Sequence, residues 1–94
     1  MEKLSTNKIE ESLTTLKGWS LKEGMIEKTF KFKDFKEAFS TMTRIAFECE
    51  QQSHHPNWEN VYNTLTIKLS THDAGGVTQK DIDLAQTIEN IVNK

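Results

Sequence analysis

Residues that interrupt regular structure are scarce in this chain, and this constrains its fold more than any other feature. The 94 residues include four Gly and one Pro, so each of these marks a boundary between elements. Gly18, Gly24, Pro56 and the Gly75–Gly76 pair divide the chain into a few uninterrupted segments. A chain of this length forms one domain, since domains run from ~50 to ~250 residues.

Three segments have the spacing of amphipathic helices. The first is predicted over residues 5–17, with a capping box at Asn7 and Glu10. The second is predicted over residues 34–53, beginning at an Asp34–Glu37 capping box and ending before Pro56. Its predicted apolar stripe consists of Phe35, Ala38, Phe39, Met42, Ile45, Ala46 and Cys49. A third helix is predicted to begin at Thr78 and Asp81, which also have capping-box spacing.

The segments between the helices have the alternation of strands. Residues 19–23 and 25–33 predict a hairpin that turns at Glu23–Gly24. Residues 60–71 predict a single long strand, with Val61, Leu65, Ile67 and Leu69 mostly on one face. One more short extended piece is left open. An antiparallel sheet with helices on one face would bury all these apolar stripes, which predicts an α+β fold.

Composition excludes several classes of protein. With 12 Lys+Arg against 14 Asp+Glu the net charge is −2, which disfavours direct nucleic-acid binding as the default function. The single cysteine, Cys49, excludes a disulfide framework and a CxxC pair, and its place on an apolar stripe predicts a small core residue. No apolar run approaches the ~18 residues of a membrane span. We therefore expect a soluble, cytoplasmic protein without membrane contact.

Chemistry-bearing residues concentrate in the second half of the chain. All three histidines, His54, His55 and His72, lie within 19 residues of one another, and Glu50 and Asp81 flank them. Glu50 and His54 are four residues apart and would share a face if the helix extended that far. Helix and strand termini are where catalytic groups are often displayed.

Several interpretations of the histidines remain open from the residues alone. His-His-Pro can be a helix cap followed by a turn. Three histidines with a carboxylate can hold zinc, although HExxH is absent and adjacent histidines do not easily face one ion. Neutral imidazoles can also transfer protons near pH 7 without a metal or cofactor, with Glu50 or Asp81 fixing their tautomers.

Other candidates lie close by. Trp58 follows His-His-Pro in a polar segment and could form the wall of a pocket for a flat ring, whereas Tyr62 is predicted to be a packing residue. Ser70 and Thr71 precede His72, but no GxSxG motif supports serine hydrolase chemistry.

At these residues the chain resembles the pterin-4a-carbinolamine dehydratase family over nearly its whole length. The family signature is matched in register by Glu50, His54, His55, Pro56, Tyr62, His72 and Asp81. The Gly18–Trp19 step and the 30–35 segment are also similar to the family. The resemblance implies a four-stranded antiparallel sheet with three helices packed on one face. The fourth strand would come from dividing the predicted strands differently.

The resemblance also implies a reaction and a site. The family removes water from a 4a-hydroxytetrahydropterin to give the quinonoid dihydropterin, which recycles the cofactor of aromatic amino acid hydroxylases. His54 and His72 would act on the 4a-hydroxyl, and His55 would bind substrate and transfer protons near the ring. Glu50 and Asp81 would orient the imidazoles. Substrate-binding roles are expected for Trp58, Ser70 and Thr71, and no metal or cofactor is expected.

Partners follow from the same resemblance. A homodimer or homotetramer is expected, with a monomer as the alternative. Some relatives act as dimerisation cofactors of a homeodomain transcription factor, and the exposed face of the long helix near Thr41, Arg44 and Glu48 could serve such a role. Another pterin-linked function, such as molybdopterin metabolism, is a further alternative.

Overall fold

The computed structural model describes residues 2–93, which form an α+β fold. The helices are α1 (Thr6–Leu13), α2 (Phe35–Gln52) and α3 (Gln79–Val92), and a short 3-10 turn spans His72–Ala74. The strands are β1 (Ser20–Lys22), β2 (Met25–Lys31), β3 (Asn57–Val61) and β4 (Thr64–Leu69). They form one antiparallel sheet in the order β1-β2-β4-β3. The fold class predicted from the sequence is confirmed.

The core lies between the three helices and one face of the sheet. Strand residues Ile26, Leu65, Ile67 and Leu69 are fully buried there, because alternate side chains of a strand point to the same face. The helices contribute buried residues to the same cluster: Ile9 from α1, Ile45 and Cys49 from α2, and Ile82, Leu84, Ala85 and Ile88 from α3. The predicted core position of Cys49 is confirmed.

The predicted long strand over residues 60–71 is wrong, because two strands and a turn occupy this part of the chain. Tyr62 has a left-handed backbone (φ 53°) and turns the chain between β3 and β4. Val61 therefore does not share the buried face of Leu65 but is 66% exposed, and Tyr62 is 62% exposed rather than packed. The split supplies the fourth strand that the family resemblance implied.

The helix starts show which capping signals are used. Thr78 and Asp81 form the predicted capping box, and Asp34 caps α2 by accepting a hydrogen bond from the Glu37 N–H. The predicted Asn7–Glu10 box is wrong, since the side chain of Ser5 caps α1. The first helix also ends at Leu13 rather than Lys17, and turns continue the chain from there to Gly18.

The predicted apolar stripe of α2 is only partly buried. Ala38, Ile45 and Cys49 face the core, whereas Phe35 is 49% and Phe39 54% exposed. At about 100° per residue Phe39 lies roughly 100° around the helix axis from Ala38, which takes it beyond the contact with the sheet. Within residues 2–93, no helix combines the length and apolar character needed to cross a membrane.

Candidate functional site

The end of α2 directs the two adjacent histidines to different environments. Ser53 adopts a left-handed conformation (φ 52°), and its N–H donates to the carbonyls of Cys49 and Glu50. This ends the helix, and the His54 N–H then donates to the Cys49 carbonyl. As a result His54 turns into the protein, where it is 9% exposed, while His55 points toward solvent.

His54 pairs with Asp81, which lies on the first turn of α3. The His54 Nε2 and Asp81 Oδ1 atoms are 2.5 Å apart, and the Asp81 side chain is fully buried. The two residues are 27 positions apart, so the pair ties the α2 terminus to the α3 N-terminus. Through this buried hydrogen bond, the Asp81 carboxylate can fix the tautomer of the His54 imidazole.

The second oxygen of Asp81 is held by two threonines. Its Oδ2 accepts hydrogen bonds from the Thr78 N–H and from the Thr71 hydroxyl, each at 2.8 Å. The two threonine hydroxyls are in turn 2.7 Å apart, and the Thr78 hydroxyl accepts from the Lys80 N–H. Asp81 is therefore an acceptor from three donors when it is ionised, which compensates the burial of its charge.

His55 pairs with Glu50 instead of His54. The His55 Nε2 and Glu50 Oε2 atoms are 2.6 Å apart, and the two side chains are 65% and 76% exposed. The predicted end of the second helix before Pro56 is confirmed, because α2 ends at Gln52, and Glu50 and His54 therefore do not share a helical face. The exposed pair can exchange protons with solvent and meet a ligand from outside.

His72 lies on the other side of Thr71, in the 3-10 turn after β4. It is exposed and lines a depression of about 210 Å³ with Ser70, Thr71 and two facing turns. Those turns are Glu23–Gly24, which joins β1 to β2, and Gly75–Gly76. Thr71 thus joins the buried His54–Asp81 pair to the open depression at His72.

Trp58 lies on the edge strand β3, directly after the histidine segment. It is half-buried against the core and lines a cavity of about 260 Å³ with Asn57, Glu59, Thr66 and Lys68. That cavity and the depression at His72 have no lining residue in common. Among residues 2–93, no three His, Cys, Asp or Glu side chains converge in a way that would hold a metal ion.

The sequence did not reveal the role of Thr78 and Thr71 around Asp81. The capping-box spacing of Thr78 and Asp81 was a signal for their contact, but nothing in the spacing showed that β4 would bring Thr71 to the same carboxylate.

The thiol of Cys49, near the end of α2, is also buried. Burial raises its pKa to about 11, and the charges of Glu48 and Glu50 add to the rise.

Comparison with known proteins assigns the chain to a family. The family model described as pterin 4 alpha carbinolamine dehydratase matches residues 2–91. The chain belongs to this family.

Relatives in the family align along almost the whole chain. A protein of Christiangramia forsetii is 56% identical over 92 residues, covering 98% of this chain and 95% of its own length. A protein of Opitutus terrae is 51% identical over 84 residues, covering 88% of this chain and 87% of its own length. Both carry pterin-4-alpha-carbinolamine dehydratase as a provisional name.

A solved structure shows the same pterin dehydratase fold. The transcriptional coactivator/pterin dehydratase of Brucella melitensis is 38% identical, with a TM-score of 0.93. The match covers 96% of this chain and 98% of that protein. Sequence and structure therefore agree on the family.

Proposed function

We propose that this protein is a hydro-lyase that converts a 4a-hydroxytetrahydropterin to the quinonoid dihydropterin and water. Family membership supports the substrate class and the reaction. The observation that carries the proposal is the buried His54–Asp81 pair, which Thr71 connects to the depression at His72. It offers an oriented imidazole linked through Thr71 to an opening where a small ring could bind.

The reaction needs only proton transfer from the protein. The bond between C4a and its hydroxyl oxygen breaks, and a proton given to that oxygen lets it leave as water. A ring nitrogen loses a proton as the quinonoid system forms, so the protons balance. Histidine suits both tasks, because it can give and take a proton near neutrality.

The side chains of the site divide these tasks. His54 and His72 would exchange protons with the 4a-hydroxyl, and His55 would bind the substrate and transfer a proton near the ring. The contacts of Asp81 with His54 and of Glu50 with His55 support orienting roles for both carboxylates. This chemistry uses no metal and no further cofactor.

The flat substrate requires binding groups around these histidines. Ser70 and Thr71 line the depression next to His72, and Trp58 follows the His-His-Pro segment on β3. An indole face packs well against a planar heteroaromatic ring. The product would return to the pterin cofactor pool of an aromatic amino acid hydroxylase.

The dehydration rate tests this proposal. A hydroxylase would generate the 4a-carbinolamine, and its decay would be followed by stopped-flow absorbance with and without the protein. We expect faster decay with the wild type and a loss of ~10²-fold or more in His55→Ala, the size of general acid–base assistance. Gln51→Ala, an exposed change on the same helix end, serves as the control. Full activity in His55→Ala would contradict its assigned role.

We also propose that the protein self-associates through α2 as a homodimer or homotetramer. Phe35 and Phe39 stack on each other with ring centroids 5.7 Å apart, and both are about half exposed. Phe47, two turns further along, is 72% exposed. Three exposed phenylalanines on one helix are more typical of a contact surface than of a solvated one.

A further inference from the structure

The hydrogen bonds around Asp81 have a direction that can be deduced from donors and acceptors alone. The Thr78 hydroxyl accepts from the Lys80 N–H, and the Thr71 hydroxyl lies 2.7 Å from it. Thr71 has one hydroxyl proton, which it directs to Asp81 Oδ2. The proton between the two threonines must therefore come from Thr78.

With Asp81 ionised, its hydrogen bond to His54 identifies the ring nitrogen that carries a proton. The Asp81 Oδ2 atom already accepts from Thr71 and from the Thr78 N–H, which leaves Oδ1 for His54. An ionised carboxylate can only accept, so His54 must donate from Nε2. In the neutral imidazole, Nδ1 then carries the free lone pair.

If these hydrogen bonds ran in the reverse direction, the Thr78 hydroxyl proton would be left without an acceptor. If Asp81 were protonated on Oδ2 and donated to Thr71, Thr71 would donate to Thr78. The Thr78 hydroxyl proton would then have no acceptor among these groups, and Oδ2 would still face the Thr78 N–H. A buried hydroxyl without an acceptor is costly, so the first direction is the favoured one.

We propose that Thr71 is a positioning residue that, together with Thr78, holds Asp81 as an acceptor and so keeps His54 in the Nε2–H tautomer. The Thr71 hydroxyl donates to Asp81 and acts on His54 through that carboxylate, while the rest of the residue lines the depression. Thr71 lies two residues after the end of β4 and Thr78 caps α3, so the sheet and the helix together set the tautomer of His54. This inference rests on the proposed dehydratase function for its catalytic consequence, but the tautomer can be observed without substrate.

The test removes the hydroxyl of Thr71 while keeping the shape of its side chain. Thr71→Val is close to isosteric, and Thr71→Ser restores the donor. Nitrogen-15 NMR of the histidine rings shows which nitrogen of His54 carries the proton, and the dehydration assay gives kcat. We expect Nε2–H in the wild type, a mixed tautomer in Thr71→Val with kcat reduced about tenfold, and recovery of both in Thr71→Ser.

Controls separate positioning from general destabilisation. Thr29 forms a similar hydroxyl pair with Thr66, at 3.2 Å on the outer face of the sheet, so Thr29→Val should leave the His54 spectrum and kcat unchanged. Thr71→Ala replaces the valine variant if that variant does not fold. An unchanged His54 spectrum in a folded Thr71 variant would overturn the proposal. A wild type that does not accelerate dehydration would instead overturn the dehydratase function, and the two failures are thus distinguishable.

Discussion

At the scale of single residues, the site depends on two adjacent histidines with opposite surroundings. His54 is buried against a carboxylate from another helix, and His55 is exposed against one from its own helix. The left-handed Ser53 between α2 and the histidines produces this difference. A buried, oriented imidazole and an exposed, solvent-linked one are suited to different steps of a proton transfer.

The buried thiol of Cys49 should resist modification in the native protein. Its pKa is raised to about 11 by burial and by the charges of Glu48 and Glu50, so the thiol stays protonated at neutral pH. Because the thiolate is the reactive form, we expect an aromatic disulfide reagent to modify native protein very slowly at pH 7.5 and denatured protein rapidly. The release of the coloured thiol measures both rates. Rapid stoichiometric modification of the native protein would contradict the buried placement.

The sequence indicated which residues are candidates for the site but not which of them pair. The clustering of His54, His55 and His72 with Asp81 was visible in the sequence. The partner of each histidine was not, because the pairs depend on where α2 ends. One residue in a left-handed conformation moves His54 from the helical face of Glu50 to the buried Asp81.

At the scale of elements, one ion pair connects the sheet to the last helix. Lys28 of β2 donates to Glu89 of α3 at 2.7 Å, and the Trp19 indole donates to the same oxygen at 2.8 Å. Lys28 also lies 4.8 Å from the centre of the Phe30 ring. Burial alone would raise the pKa of Glu89, but hydrogen bonds from Lys28, Trp19 and Asn93 outweigh it and lower that pKa.

Glu89 should therefore make stability depend on pH in the acidic range. A pKa lowered by folding stabilises the protein fully above the unfolded value of 4.5, and this contribution is lost as the pH falls through the folded pKa. We expect Glu89→Gln to lower the free energy of unfolding by about 1–2 kcal/mol at pH 7. Urea titrations at pH 7 and at pH 3 should show the difference from wild type shrinking at the lower pH.

The Lys8–Glu11 ion pair provides the matched control. Its side chains are 59% and 74% exposed, so Glu11→Gln should change stability by less than about 0.5 kcal/mol at either pH. A Glu89→Gln difference that stays constant from pH 7 to pH 3 would show that the Glu89 charge does not contribute as described.

Element types could be predicted from the sequence more fully than element boundaries. The three helices and the β1–β2 hairpin follow from apolar spacing and from the Glu23–Gly24 turn. The β3–β4 hairpin was missed because its turn at Tyr62–Asn63 contains neither Gly nor Pro, so the apolar alternation seemed continuous. Tyr62 adopts the left-handed conformation that such turns more often assign to Gly or Asn.

Across the whole molecule, the exposed phenylalanines of α2 are not accounted for by packing within a single chain. If they form an interface between copies, Phe39→Glu should place a charge in it and weaken self-association by roughly tenfold or more. Light scattering over a range of micromolar concentrations measures this. Asn7→Glu adds the same single negative charge to an exposed position of α1 and should leave assembly unchanged. A wild type that is monomeric throughout that range would contradict the interface.

The dehydration rate of His54→Gln tests whether the buried His54–Asp81 pair is the catalytic centre. Glutamine can place an amide N–H toward Asp81, so the buried hydrogen bond can persist while the group that transfers protons is gone. We predict that decay of the 4a-carbinolamine falls ~10²–10⁴-fold below the wild-type catalysed rate while the melting temperature changes little. Wild-type acceleration by a folded His54→Gln protein would contradict the assignment of the buried His54–Asp81 pair as the catalytic centre.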